Sequence, residues 1–277
     1  MSVRVVFGIG IFLVQAAIAY AEPVEVTSCN QTVSDGYLTH DLDCSGSDPY
    51  FSAVNVSGRL ELRGFTITGG PVNTVVECLS RQAPARSGAC VIVGPGTLRA
   101  LDGPLRSTGV GADRVKLIDV TIEGGDNGVL AGRVIADNTT VRNSTGNGIQ
   151  ADWTVRLRDS NVIDSAGAGV MAQRWVKLER SSVTGSTLEG VVARRLIALR
   201  DSQVTGNALD PAVCQSRLAG LQCAPEPHPW LCADLAAHGR VAIEGNSACD
   251  TSLVQGGTCP AARDYRSGET FHVCSAD

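Results

Sequence analysis

A short tetrad repeats along the middle of this sequence at a nearly constant spacing. It has the form Gly-Val-x-Ala, with Ile for Val in one copy, and successive copies are 19, 20, 21 and 21 residues apart. A repeat of this length indicates a solenoid, in which each copy buries its apolar side chains against its neighbours. The five copies are residues 109–112, 128–131, 148–151, 169–172 and 190–193.

A second apolar block starts six or seven residues after the start of each of the later tetrads. Both blocks alternate apolar and other residues, which is typical of strands, and the Gly- and Ser-rich pieces between them leave no room for a helix. About three short strands in about 21 residues predict an all-β fold, a single-stranded right-handed parallel β-helix in which each strand pairs with its copy one turn on. The blocks are residues 134–136, 155–157, 176–178 and 197–199, and each is followed by a valine (Val141, Val162, Val183 or Val204).

Charged residues at the end of the second block support this register. Their sign alternates from copy to copy, so in-register stacking places opposite charges side by side instead of like charges. The two columns are Asp137, Arg158, Glu179, Arg200 and Asn138, Asp159, Arg180, Asp201.

The repeat extends beyond these copies in a less regular form. Residues 53–56 and 90–93 stand where earlier tetrads are expected, and residues 211–214 follow Gly190 by 21 positions. Residues 241–243 resemble one further turn. We expect a signal peptide at 1–21, an N-terminal cap at 22–50, the parallel β-helix at 51–207, and a Cys- and Pro-rich insertion, last turn and C-terminal cap at 208–277.

The N-terminal segment predicts export. Arg4, an apolar run at 5–14 and a small-x-small exit at 19–21 are typical of a secretory signal peptide. We therefore expect a periplasmic or extracellular protein without a transmembrane segment, since no run reaches the about 18 apolar residues that one needs. Without Arg4 the formal charge is 22 − 28 = −6, which argues against nucleic acid as a partner.

Ten cysteines in an exported chain predict up to five disulfides. Zinc is the alternative, but the spacing of Cys214, Cys223 and Cys232 does not give the paired clusters that a tetrahedral zinc site favours. The pairing within the C-terminal six stays open. The disulfide candidates are Cys29, Cys44, Cys78, Cys90, Cys214, Cys223, Cys232, Cys249, Cys259 and Cys274.

An insertion at residues 71–88 interrupts the regular repeat. It contains Arg81 and Arg86, and we expect Cys78 and Cys90 to close it. Loops on a rigid scaffold often determine binding specificity. The turns beside this loop are therefore one expected location for a binding site.

Two segments resemble a known family. Residues 41–46 (D-L-D-C-S-G) and 60–69 (L-E-L-R-G-F-T-I-T-G) resemble the opening of bacterial exported right-handed β-helix repeat proteins of the pectin-lyase-like superfamily. Arg63 and Phe65 replace the usual Asn and His. The resemblance covers about residues 29–277 and implies the fold, but this superfamily includes lyases, hydrolases, epimerases and adhesins, so it implies no single activity.

The catalytic signatures of that superfamily are missing. The polygalacturonase and pectate-lyase motifs are absent, and Asp210-Pro211-Ala212 stops short of the Asp-Pro-His-Asp of mannuronan epimerases. We therefore predict a non-catalytic exported protein that binds carbohydrate or serves as an envelope or surface scaffold. The alternative is a divergent polysaccharide lyase or uronan epimerase that uses Arg156, Arg158 or Lys177.

Five residues are candidates for binding polysaccharide, the predicted partner. Trp153 and Trp175 precede successive second blocks, so they could form a platform for sugar rings, although indoles also shield core corners. Arg156, Arg158 and Lys177 could bind a uronate chain. Alternatively, they pair with the carboxylates of their own columns, because a substrate groove needs convergent charge.

Two strings resemble calcium-binding loops. The Asp41-x-Asp43-x-Ser45 string has Ser52 instead of Glu at its twelfth position. Residues 124–128 match a repeat-toxin loop that binds calcium only in tandem copies. We interpret both as turns and predict no metal site and no cofactor, with calcium the one ion left open.

Overall fold

Successive copies of the repeat lie side by side as parallel strands. The computed structural model describes residues 22–48, 51–71, 74–79, 88–101, 107–207, 235–237, 240–245, 248–249, 261–263 and 270–273. Over these ranges the chain is an all-β parallel solenoid of about 21 residues per turn, with no helix among them and with two antiparallel strands, 261–263 and 270–273, at its C-terminal end. The predicted all-β solenoid is confirmed.

The strands are short, and most recur once per turn in each wall of the solenoid. The N-terminal strands are β1 (Val24–Glu25), β2 (Gln31–Tyr37), β3 (Leu42–Asp43), β4 (Val54–Glu61), β5 (Thr66–Gly69), β6 (Thr74–Cys78), β7 (Ala89–Val93) and β8 (Thr97–Ala100). The central strands are β9 (Thr108–Ile118), β10 (Thr121–Gly124), β11 (Asn127–Asp137), β12 (Thr140–Arg142), β13 (Ile149–Arg158), β14 (Asn161–Ile163), β15 (Val170–Ala172), β16 (Trp175–Glu179), β17 (Ser182–Thr184), β18 (Val191–Ala193), β19 (Leu196–Arg200) and β20 (Gln203–Thr205). The C-terminal strands are β21 (Leu235–Ala237), β22 (Arg240–Glu244), β23 (Ala248–Cys249), β24 (Ala261–Arg263) and β25 (Thr270–Val273).

Each turn contributes to three walls, which we name A, B and C. Wall A contains the tetrads, wall B the second blocks, and wall C the strands around the following valine. Walls A and B form one 16-stranded sheet, because β9, β11 and β13 run through both. Wall C is a nine-stranded sheet. Because neighbouring strands of this sheet are one turn apart, nine strands correspond to about eight turns.

The predicted register is confirmed in both blocks. In wall A, Val129 pairs with Ile149, which pairs with Val170. In wall B, Val155 pairs with Val176. The strands of both blocks therefore align with their copies one turn away, so that equivalent side chains form columns.

The inward columns build the core. The second and fourth residues of the tetrad, such as Ile149 and Ala151 in wall A, are buried. Val155 and Leu157 of wall B and Val162 of wall C are buried as well. Because strand side chains alternate between faces, the residues between them point outward. One apolar core therefore runs the length of the described solenoid.

The glycine of the tetrad is explained by close packing. A Cβ on Gly148 would lie 2.7 Å from the backbone oxygen of Gly169 and 2.5 Å from a methyl of Val162. Because walls C and A meet here, only glycine fits without displacing backbone.

One predicted copy of the tetrad is wrong. Residues 90–93 belong to wall B, where Cys90 pairs with Val115, and β6 occupies the tetrad position of that turn. The predicted copy at residues 211–214 lies outside the described residues, and the next described strand of wall A after β18 is β21. Residues 53–56 do include a tetrad-wall strand, and residues 241–243 form the wall B strand of a further turn, as predicted.

Two disulfides lie in the N-terminal half. Cys29 and Cys44 bond near the start of the solenoid, and Cys78 and Cys90 bond as expected. Since Cys78 ends a wall A strand and Cys90 lies in wall B of the same turn, the insertion emerges between these walls, after residue 78. Arg81 and Arg86 lie outside the described residues, as does the pairing of the other six cysteines.

Two serine columns line the corners of the solenoid. Between walls B and C, the buried Ser181 hydroxyl accepts a hydrogen bond from the Ser160 amide at 3.2 Å and donates one to the Glu179 carbonyl at 2.8 Å. Between walls C and A, the buried hydroxyls of Ser165 and Ser186 have no hydrogen-bond partner among the described residues. Within the described part of the chain, the serine hydroxyls are therefore hydrogen-bonded at the corner between walls B and C but not at the corner between walls C and A.

The ends of the chain are described in part. Strands β2 and β3 already pair in parallel with β4 and β5, whereas the predicted signal peptide lies outside the described residues. No helix long and apolar enough to cross a membrane is found in the described ranges.

Candidate ligand-binding groove on wall B

Two alanines open a groove on the outer face of wall B. The outward column that contains Arg156 and Lys177 continues with Ala198 and Ala242. These small side chains leave a groove of about 390 Å³ between longer neighbours. Its walls and floor comprise Arg156, Leu157, Trp175, Lys177, Leu178, Glu179, Ala198, Leu199, Arg200, Ala242 and Glu244.

An indole and an ammonium group form one edge of the groove. Trp175 is partly buried, and Lys177 Nζ lies 5.1 Å from the centroid of its ring. This distance is within the range of a cation–π contact. The edge therefore combines an apolar ring with a hydrogen-bond donor.

The charges of the groove are largely paired with neighbouring charges of the same or the adjacent turn. Arg156 lies 3.7 Å from Glu179, and Arg180 lies 2.8 Å from another oxygen of the same carboxylate. One turn earlier, Arg158 pairs with Asp137 at 3.1 Å. The predicted alternation of charge between turns is confirmed, and it brings donors and acceptors together on one face.

Hydrogen bonding fixes the ionisation of the neighbouring turn residues. The Arg180 guanidinium donates to Asp159 at 2.7 and 2.9 Å and holds the pKa of this carboxyl below its ordinary value. The same bonds, with a further one to Glu179, raise the pKa of Arg180. Both residues therefore stay charged at neutral pH.

The five predicted site residues do not all reach the groove. Arg156, Trp175 and Lys177 line it, whereas Arg158 is held by Asp137. Trp153 lies at the corner before wall B, where Arg174 covers its ring at 4.1 Å. Their role in binding carbohydrate stays a prediction.

The two indoles occupy different register positions. Trp175 pairs with Thr154, while Trp153 falls where β13 has one residue more than β11. The extra residue follows from the change of step from 20 to 21 residues at this turn. The two rings are therefore not equivalent members of one column.

Sequence reasoning missed the alanines that create the groove. The signal was present, because the central position of residues 197–199 and 241–243 is Ala, where the two preceding blocks have Arg156 and Lys177. A missing side chain is visible as a gap only when its neighbours in other turns are known.

A smaller cleft of about 180 Å³ lies on wall A. Gly111 occupies the outward tetrad position there, and Glu77, Asp152, Thr74 and Leu130 are among the residues around it. The Glu77 side chain already lies over Gly111. This cleft is therefore partly filled by the chain itself.

Both calcium-like strings form turns. Asp43 accepts a hydrogen bond from the Ser45 amide at 2.9 Å, which lowers the pKa of Asp43, and Asp41 accepts one from the Thr66 amide at 2.7 Å. Asp126 accepts from the Asn127 side chain. Within the part of the chain that the structure describes, no three metal-binding side chains form a cluster.

Comparison of the chain with protein-family models, with curated proteins and with solved structures found no match in any of the three. A β-solenoid fold by itself hosts many functions. What the protein does is therefore inferred from its own groove and charges.

Proposed function

We propose that this protein is a non-catalytic exported solenoid that binds carbohydrate in the wall B groove. The observation that carries the proposal is the gap over Ala198, bordered by the Trp175 indole and by cationic donors. Sugar rings have apolar faces that pack on aromatic rings and hydroxyls that need directional partners. The groove offers both kinds of group on a rigid sheet.

The pairing of the cations supports binding without catalysis. A lyase or epimerase needs a basic group that is free to act on the substrate, whereas Arg156 is ion-paired with Glu179 and Arg158 with Asp137. Lys177 lies over the Trp175 ring in a cation–π contact. The rival function, a divergent polysaccharide lyase or uronan epimerase, rests on the family resemblance alone.

The disulfides support the proposed location. Such bonds persist in oxidising compartments, and two of them join Cys29 to Cys44 and Cys78 to Cys90. Together with the signal-like N-terminus, they favour the periplasm or the cell exterior. The resemblance to bacterial exported β-helix proteins of the pectin-lyase-like superfamily supports the same location.

Filling the groove tests the proposal. We expect the wild type to bind at least one polymer of a polysaccharide panel in calorimetry, and Ala198→Ile to weaken that binding roughly tenfold or more, equivalent to about 1.4 kcal/mol. Lys177→Gln should also weaken it. Lys116→Gln is the matched control, because Lys116 lies in the same outward column but outside the groove.

Three outcomes would contradict the proposal. Binding to no polysaccharide would remove the carbohydrate function, and equal affinity of the Ala198→Ile variant would remove the groove as its site. New ultraviolet absorbance from unsaturated uronates, in pectate or alginate mixed with the protein and calcium, would favour the lyase instead.

A further inference from the structure

A ridge of arginines runs along the corner between walls A and B. Its residues recur every 21 positions and stack through their backbones: the Arg174 amide donates to the Trp153 carbonyl at 2.9 Å, and the Arg195 amide donates to the Arg174 carbonyl at 2.8 Å. Arg194 precedes Arg195 in the same corner. We name Trp153, Arg174, Arg194 and Arg195 the corner ridge.

The corner ridge has an excess of positive charge. All three arginines are exposed, and none forms an ion pair with another described residue, unlike Arg156, Arg158 and Arg180 on wall B. The six corner residues of these turns (152–153, 173–174 and 194–195) carry three arginines and one aspartate, a net charge of 3 − 1 = +2. This local charge contrasts with the −5 of the whole chain.

The position of the ridge favours a flat partner over a threaded chain. The backbone bends here from one wall to the next, so neighbouring side chains diverge outward. Trp153 is 41% exposed, with the Arg174 guanidinium 4.1 Å from its ring. Indole and cationic side chains both bind favourably in the headgroup region of a membrane–water interface.

We propose that the corner ridge docks this protein peripherally on an anionic lipid surface. The guanidinium groups bind headgroup phosphates, and the exposed part of Trp153 enters the interface. Headgroup phosphates supply the negative charge that the ridge lacks, and a bilayer supplies the flat geometry. This docking is independent of the wall B groove, which remains accessible on the neighbouring face.

Vesicle sedimentation with the full chain tests this inference. We expect the wild type to bind vesicles of phosphatidylcholine mixed with phosphatidylglycerol, to leave vesicles of phosphatidylcholine alone unbound, and to dissociate as salt is added. The double variant Arg194→Gln/Arg195→Gln should bind roughly 25-fold more weakly, at about fivefold for each arginine removed. Its unchanged thermal unfolding would show that the fold is intact.

The matched control is Arg99→Gln/Arg142→Gln. These two exposed arginines lie on wall C, where both pair with Glu123, so the variant has the same net charge but an intact ridge. It should bind the mixed vesicles like the wild type. An equal loss in this control, equal binding to both kinds of vesicle, or no binding to either would overturn the proposal. Ridge-dependent binding of soluble polygalacturonate without vesicle binding would assign the ridge to an acidic polymer instead.

Discussion

Single charged residues link neighbouring turns on wall B and at the corner between walls B and C. Arg180 contacts both Asp159 of the preceding turn and Glu179 of its own turn. Asp159 and Arg180 also have positive φ angles of 49° and 47°, so this ion pair lies at the bend between walls B and C. Exposed pairs of this kind contribute little stability each, but their ionisation makes that contribution dependent on pH.

Asp159→Asn should reduce stability at neutral pH but not in acid. Arg180 lowers the pKa of Asp159 in the folded chain, so the ionised carboxylate stabilises the fold above its unfolded-state pKa. That contribution is lost as the pH falls through the lowered folded-state pKa. We expect the urea midpoints of the two proteins to differ at about pH 7 and to converge near about pH 2.

Asparagine tolerates the positive φ at position 159, so this substitution keeps the backbone conformation. Arg180→Gln should show the same convergence, because it removes the other partner. A midpoint difference that stays constant across this pH range would contradict the assignment.

At the scale of elements, the turns between strands differ in how they satisfy buried polar groups. The serine column between walls B and C bonds each hydroxyl to the backbone of its own and the preceding turn. The column between walls C and A packs its hydroxyls against the tetrad glycines: a Cβ on Gly148 would be 2.7 Å from Ser165 Oγ. The corner between walls C and A therefore requires a small side chain for packing, whereas the corner between walls B and C requires a hydroxyl for hydrogen bonding.

Ser181→Ala and Ser165→Ala should therefore have different effects. Loss of the Ser181 hydroxyl leaves the buried Ser160 amide without its partner, at a cost of about 1–3 kcal/mol, whereas the Glu179 carbonyl still accepts from the Asp159 amide. The Ser165 hydroxyl has no partner among the described residues, so its removal should be neutral or stabilising. Urea unfolding of the two variants measures both, and equal destabilisation would show that the Ser165 hydroxyl is bonded after all.

The whole molecule behaves as a nearly one-dimensional stack. Each turn contacts mainly the turns before and after it, so stability is local and the ends are the places where unfolding begins. The Cys29–Cys44 disulfide joins the start of β2 to the end of β3 across 15 residues. It therefore holds the first turn closed.

Cys29→Ala/Cys44→Ala should loosen the first turn before the others. A cross-link across about 15 residues contributes on the order of 3 kcal/mol by restricting the unfolded chain. We expect hydrogen exchange to accelerate within β1 to β3, while β11 to β20 keep their protection. Uniform acceleration over the described strands would show instead that the solenoid unfolds as a single unit.

The repeat, its register and the inward or outward direction of most side chains could be predicted from the sequence alone. Alternation within a strand separates inward Val155 from outward Arg156, and the constant step of 21 residues aligns each with its copy. Both signals are local or periodic, so the inward columns and the alternating charges of Arg158 and Glu179 followed from them. Strand pairing at that register confirmed both.

Where the step changes, the wall to which a strand belongs follows from the tertiary structure alone. The repeat pattern placed residues 90–93 in wall A, but β6 occupies that position, because an excursion of any length can leave and rejoin the stack. The groove likewise depends on Ala198 lying between Lys177 and Ala242, residues far apart in sequence. The surface available to a ligand depends on which side chains of different turns become neighbours, and the periodicity does not predict this where the step changes.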